Sequence, residues 1–337
     1  MIILKKGNYK HQMPTQNPFV LAVHHLDYFP EGNEFLGPNK RGKQKGYDMD
    51  ADWRMYYGET VPGFPAHPHR GLETVTIVTK GVVDHTDGLG SKGRYGNGDV
   101  QWMTAGKGLQ HCEMFPLIHQ DKPNTMELFQ IWLSLDNAHR MVDPDYKMLW
   151  KEDIPVIVKG DERKQVKITL IAGTLDGVNA VKPTKDSWAY DPKHNLSIQL
   201  IELEVGACYE LPIGSKSLKR SIYQYEGGEL LVAEELLGKN EYMFISAEEQ
   251  VMIKNHGEEI GKILLLESEP IQEPIVAYGP FVMSTNEEIQ KAYEDYNRTE
   301  FGGWPFEKGE VVHERNQGRF AAYPDGRIEQ PNKNTRY

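Results

Sequence analysis

His67-Pro68-His69-Arg70-Gly71-Leu72-Glu73-Thr74-Val75-Thr76 and, further on, His111-Cys112-Glu113-Met114 are the stretches whose reading decides the fold. His67 with His69, and His111 with Glu113, each set two metal-capable side chains one residue apart. Residues i and i+2 of a β-strand point to the same face, so each pair aims both donors into one space. A helix does not do this, because residues two apart on it do not share a face. Neighbouring strands carrying the two pairs would bring three imidazoles and a carboxylate to one point. A mixed nitrogen and oxygen donor set with coordination positions left open suits Fe(II), Mn or Zn. Pro68 lacks an N–H, which places the first pair at a strand end or a bulge.

Outward from these strings the chain reads as β-structure. Short runs rich in Val, Ile, Thr and aromatic residues, such as Thr74 to Thr79, Leu128 to Leu133, Val166 to Ile171 and Ile263 to Leu266, are punctuated by Gly, Asp and Pro. That pattern predicts barrels or sandwiches of short strands. Asp87-Gly88, Gly96-Asn97-Gly98-Asp99 and Asp176-Gly177 are turn signals, since Gly and Asn tolerate positive φ. A weak repeat is visible: Ile77 to Gly81 and Tyr223 to Gly227 are both strands ending in Gly, each followed by a turn and a further apolar segment. The expected organisation is therefore an N-terminal metal-binding barrel over residues 1–140, a second barrel over 141–283, and a helix with an extended tail over 284–337. No histidine occurs between His194 and His256, so the second barrel is expected to be metal-free. Ser284-Thr285-Asn286-Glu287-Glu288 offers a capping box in either of two registers. Ile289, Ala292, Tyr293 and Tyr296 then follow at the spacing of one helix face. The tail from Val311 onward is polar and is expected to run over the surface.

The 337 residues suit two domains, and a formal net charge of −11 argues against non-specific nucleic-acid binding, which needs a basic footprint. The basic stretch Lys40 to Lys45 reads as a solvated loop. Two cysteines, Cys112 and Cys208, make no disulfide framework and fit a reducing compartment. With no apolar run long enough for a signal peptide or a membrane span, the expectation is a cytoplasmic protein. A lone histidine is more often a satisfied core or surface residue than a ligand. That applies to His11, His24, His25, His119, His139, His194, His256 and His313, whereas His85, just ahead of the Asp87-Gly88 turn, could also line the pocket.

Gly63, His67, His69, Glu73 and Gly81 are spaced much like the first cupin motif, and Gly98 with His111 like the second. More specifically, His67 to Thr76 resembles the signature of the pirin family, as do Gly98 to Gly108 running on into His111 to Met114. A third matching piece is Glu273-Pro274-Ile275-Val276 with Gly279 to Met283, so the resemblance spans about residues 15 to 305. It implies an all-β bicupin, two antiparallel β-barrels with metal in the N-terminal one only. It also implies metal ligands His67, His69, His111 and Glu113, with Fe(II) as the expected metal and Mn, Zn, Ni or Co as substitutes. The chain departs from the family pattern in having Asn97 for Pro, Cys112 for Ser, and Glu267-Ser268 where many members have Gly-Gly. By strand alternation Cys112 points away from the metal and should be a packed thiol. Glu73 has the parity of a ligand. The favoured reading is that it orients a ligand imidazole through the other ring nitrogen, with direct coordination as the alternative.

Four protein ligands leave roughly two positions on a six-coordinate ion, room for a bidentate substrate or for substrate and O₂. Three neutral imidazoles and one carboxylate would leave a net positive charge on Fe(II), which favours a phenolate or enolate oxygen. Glu113 is then the candidate catalytic base, taking the substrate's hydroxyl proton. The resemblance implies a quercetin (flavonol) 2,3-dioxygenase that opens the central ring with O₂ and releases CO. Its partners would be a small aromatic substrate and O₂. The alternative it implies is a redox-sensing regulator that binds a transcription factor or metabolic enzyme without turnover. Phe64, Trp102, Met103 and Met114 lie beside the ligand strings, as apolar pocket walls or as barrel core.

Overall fold

The runs of Val, Ile, Thr and aromatic residues form strands, because such side chains pack well on a pleated, half-buried surface. The computed structural model describes residues 2–39 and 51–331. Antiparallel sheets dominate it, with one α-helix, Asn286–Thr299. The basic stretch Lys40 to Lys45 lies outside the described residues. No helix among the described residues is long and apolar enough to cross a membrane.

Packing divides the chain into two compact units, residues 24–152 with 273–337 and residues 1–23 with 153–272. In the first, one sheet runs through the strands Asp145–Leu149, Val100–Thr104, Leu72–Lys80, Asn124–Ser134 and Phe19–Phe29. The other runs through Ile328–Glu329, Phe320–Ala322, Lys92–Gly96, Val82–Asp87, Leu109–Met114 and Gly63–His69. Val78, Met126 and Leu128 of the former meet Val83, Tyr95 and Phe115 of the latter in one core. The register of the second sheet positions the site. His67 lies opposite His111, after a register shift between Phe64 and His67 that is the bulge expected near Pro68. On the other flank of Leu109–Met114, His85 lies opposite Glu113 and Asp87 opposite His111. The turn after Val82–Asp87 is held by Asp87 Oδ1, which accepts the N–H groups of Leu89 and Ser91, both at 2.9 Å.

The described part of the tail from Val311 is tied into this unit, where its polarity suggested a surface path. Arg94, fully buried, pairs with Asp84 at 2.6 and 2.7 Å. It also donates to the carbonyls of His313, Glu314 and Gln317 at 3.0, 2.8 and 2.9 Å. Arg319 reaches Asp99 at 2.8 Å, and Phe320–Ala322 adds a strand to Lys92–Gly96. The segment is held by main-chain acceptors and buried arginines more than by apolar side chains, so hydrophobic patterning does not reveal it. The helix selects one of its two capping registers. Thr285 accepts from the N–H of Glu288 at 3.2 Å, and Glu288 accepts from the N–H of Ser284 at 2.9 Å. Ile289 and Ala292 are buried on the expected face.

Glu127 is a buried anchor of this unit, with His24 at 3.2 Å, Lys80 at 3.1 Å and Thr79 Oγ1 at 2.8 Å. Burial alone would raise its carboxyl, but His24, Thr79 and Lys80 outweigh that and hold it down to about 2. A folded-state value below the unfolded one adds stability that is present above the ordinary carboxylate range and lost as pH falls toward 2. Glu127→Gln should therefore cost on the order of 2–3 kcal/mol at pH 7. Urea unfolding of both proteins should show that gap narrowing between pH 5 and pH 3; a gap independent of pH would contradict the assignment.

The second unit repeats the plan. One sheet runs Ile3–Asn8, Glu241–Ile245, Lys219–Glu226, Gly261–Ser268, Ser197–Leu203, Val166–Ala172 and Val156–Lys159. The other runs Cys208–Leu211, Val251–Asn255, Leu230–Val232 and Glu235–Leu237. Ile201, Leu203, Ile222, Ile263 and Leu265 of the larger sheet pack on Tyr209, Leu211, Val232 and Ile253 of the smaller.

Candidate metal centre

Strand alternation does what the two strings required. The donor nitrogens of His67, His69 and His111 all lie within 4.8 Å of one another. The ring of His111 is 4.5 Å from that of His67 and 5.0 Å from that of His69, centre to centre. Among the described residues this is the one cluster of metal-capable side chains of its kind. Two of the rings are aimed by main-chain carbonyls, His67 Nδ1 by Pro65 at 2.8 Å and His69 Nδ1 by Pro280 at 3.2 Å. Such bonds fix the tautomer and leave Nε2 free to ligate. Burial pulls the His67 imidazole down to about 4, against the hydrogen bond to Pro65. Burial and the neighbouring imidazoles pull His69 and His111 well below their ordinary range. All three are therefore neutral at pH 7, the state that a metal needs.

Both nitrogens of His111 lack a hydrogen-bond partner in the protein, although the residue is fully buried. An unsatisfied buried polar group costs about 1–3 kcal/mol, so an apolar residue would serve stability better. Three neutral, converging imidazoles, two of them buried and one half-buried, with the unmet hydrogen bonding of His111, fit a divalent transition metal.

Glu113 stands beside the three. Its Oε2 is 3.9 Å from His111 Nε2, and Oε1 accepts from Thr76 Oγ1 at 2.9 Å. Thr76 Oγ1 in turn lies 2.8 Å from Gln130 Oε1, and the Tyr95 hydroxyl donates to Gln101 Oε1 at 3.3 Å. Burial raises the Glu113 carboxyl, opposed by His85, Thr76 and Tyr95. A carboxylate shifted upward toward neutrality is a better proton acceptor than an ordinary one.

Thr76, Tyr95 and Gln130 are the site residues that sequence reasoning missed. Their shared cue is the polar side chain at a core-facing strand position. His85 does lie inside: it is fully buried, 5.4 Å from the His111 ring and stacked on Tyr146 at 5.2 Å. Glu73 accepts from Trp102 Nε1 and Thr104 Oγ1, both at 2.9 Å. Glu73 was expected to orient a ligand imidazole; the Nδ1 atoms of His67 and His69 are met by the two main-chain carbonyls. Of the apolar neighbours, Phe64 packs edge-on to His67 at 6.4 Å, while Met103 and Met114 belong to core clusters. Trp132, not singled out in the sequence, lies 4.9 Å from His69. Cys112 faces outward among Leu36, Val61 and Met114, and burial pushes its thiol up to about 12, so it is inert packing.

Comparison with known proteins bears on the same residues. The Pirin family profile matches residues 33–133, and the profile of the Pirin C-terminal cupin domain matches residues 199–302. A tomato (Solanum lycopersicum) pirin-like protein is 34% identical over 236 residues, covering 69% of this chain and 75% of its own. Human pirin is 32% identical over 266 residues, covering 78% of this chain and 86% of its own. Among solved structures, a quercetin 2,3-dioxygenase from Acinetobacter baumannii superposes with a TM-score of 0.71 at 27% identity. That match covers 90% of this chain and 98% of the other.

Proposed function

Because the chain belongs to the pirin family of bicupins, we propose that it is a mononuclear non-heme iron dioxygenase acting on flavonols such as quercetin. In this reading the central ring is cleaved with O₂ and CO is released. The observation that carries it is the pairing of three converging imidazoles, two of them buried, with a carboxylate held ready by Thr76. His67, His69, His111 and Glu113 are the proposed ligands. Fe(II) bound there would supply Lewis acidity toward a substrate oxygen and a redox partner for O₂.

The chain's own residues supply the rest. Glu113 Oε2 lies on the imidazole side of its carboxyl, where it can take the proton of a flavonol hydroxyl. Thr76 Oγ1 holds the other oxygen, so the carboxyl keeps its aim while it gains or loses that proton. Phe64 and Trp132 offer apolar surface beside His67 and His69, which suits a flat aromatic substrate and excludes water from the reacting atoms. Support from outside the chain is the name of its A. baumannii structural neighbour.

The test is oxygen uptake and CO release on adding quercetin to protein loaded anaerobically with Fe(II). Stoichiometric CO per O₂ consumed is the expected result. No turnover by protein that holds one iron per chain would sink the dioxygenase reading and turn attention to a redox-dependent partner.

A further inference from the structure

The second unit contains a cavity of about 480 Å³. Three side chains in register across neighbouring strands make part of its floor. Glu267 lies opposite Ser197 on one side and opposite Arg220 on the other. By strand alternation these residues share the face of Ile201, Leu203, Ile222, Ile263 and Leu265, which form the core of the unit. They are thus the core-facing row at one end of the sheet.

Their hydrogen bonding is incomplete in a specific way. Arg220 Nε donates to Glu267 Oε1, and Nη2 donates to the carbonyl of Pro212 at 2.7 Å. Gln199, next in the row, donates through Nε2 to Ser197 Oγ at 2.8 Å, and Ser197 donates to the carbonyl of Ala172 at 3.2 Å. Arg220 Nη1 and Gln199 Oε1 are left with no partner in the protein. Yet Arg220 is 1% exposed and Gln199 3%. The pair cannot be credited to stability, since hydrophobic replacements of a buried ion pair are often neutral or stabilising.

One unmet donor and one unmet acceptor, on a floor of cancelling charge, define what would satisfy them. Around the whole cavity, Arg220 and Lys182 are matched by Glu267 and Asp191. Leu175, Leu196, Leu218 and Tyr190 line its sides. We propose that this cavity binds a small, neutral ring compound carrying both a hydrogen-bond acceptor and a donor. The acceptor receives a hydrogen bond from Arg220 Nη1, and the donor gives one to Gln199 Oε1. A carboxylate ligand is disfavoured because Glu267 already neutralises the arginine. The cavity's size falls in the range of small-molecule sites.

Salicylamide, a neutral ring with carbonyl, amide and hydroxyl groups, is the probe, followed by saturation-transfer NMR on the full chain, with salicylate as its anionic counterpart. The variants are Gln199→Leu and the double change Arg220→Met with Glu267→Leu, which replaces both charges so that neither is stranded in the interior. Binding of salicylamide by the wild type, at least about tenfold weaker in both variants and unchanged in His111→Leu, is expected. Thermal unfolding within a few degrees of wild type would show that the variants are folded. The proposal is overturned if salicylamide gives no transfer, if the folded variants bind it as the wild type does, or if salicylate binds more tightly.

Discussion

Glu113→Gln is expected to keep its iron and lose its turnover, by about 10²–10⁴-fold in kcat, the usual worth of a positioned general base. The carboxamide keeps the shape of the carboxyl and leaves the three imidazoles in place. Thr76 can still donate to its oxygen, so the hydrogen bond that aims the side chain survives. What disappears is the ability to accept a proton from a flavonol hydroxyl. Metal analysis of the variant separates the two roles proposed for the residue. Iron retained with turnover gone identifies Glu113 as the base. Iron lost in parallel with turnover would make it chiefly a ligand. A variant that holds iron and turns over quercetin at the wild-type rate would remove Glu113 from the chemistry altogether.

The histidine cluster was legible because its information is short-range. Parity alone puts His67 beside His69, and one strand pairing then adds His111, opposite His67 in the sheet. The same logic placed Cys112 outside, while the missing N–H of Pro68 pointed to a strand end or a bulge, and the register shift between Phe64 and His67 is the latter. What parity cannot supply is the partner across the barrel. Thr76 meets Glu113 and Gln130 from strands separated by dozens of residues, and no local pattern marks that meeting. Trp102 shows the converse: it is near the ligand strings in sequence, but its indole nitrogen bonds Glu73. The aromatic that faces His69 is Trp132, from the strand Asn124–Ser134. The segment after Trp304 was obscure for another reason, since Arg94 anchors it through main-chain carbonyls that every sequence possesses. In the second unit, the gap in histidines between His194 and His256 could be read from the sequence, while the pairing of Arg220 with Glu267 needed two strands brought into register.

His111→Leu should separate metal binding from folding more sharply than any other change. The ring is fully buried and its two nitrogens find no hydrogen-bond partner, so the imidazole adds no hydrogen bond to the metal-free fold. Leucine is close in volume and removes an unsatisfied polar group, which predicts that the metal-free variant is at least as stable as the wild type, by up to about 1 kcal/mol. Metal affinity should move the opposite way. Structural metal sites in small peptides are worth roughly 10–16 kcal/mol shared over four ligands, so losing one should weaken binding on the order of 10²–10³-fold. Competition against a chelator with Co(II), whose absorption reports coordination, measures the second quantity, and thermal unfolding of the metal-free proteins measures the first. A variant that is equally stable without metal but binds it far more weakly would assign His111 to the metal alone. Wild-type affinity in a folded variant would show that the metal does not sit among these three rings. Loss of stability without metal would mean that the buried imidazole is held by the fold for packing, and its unmet nitrogens would then need another explanation.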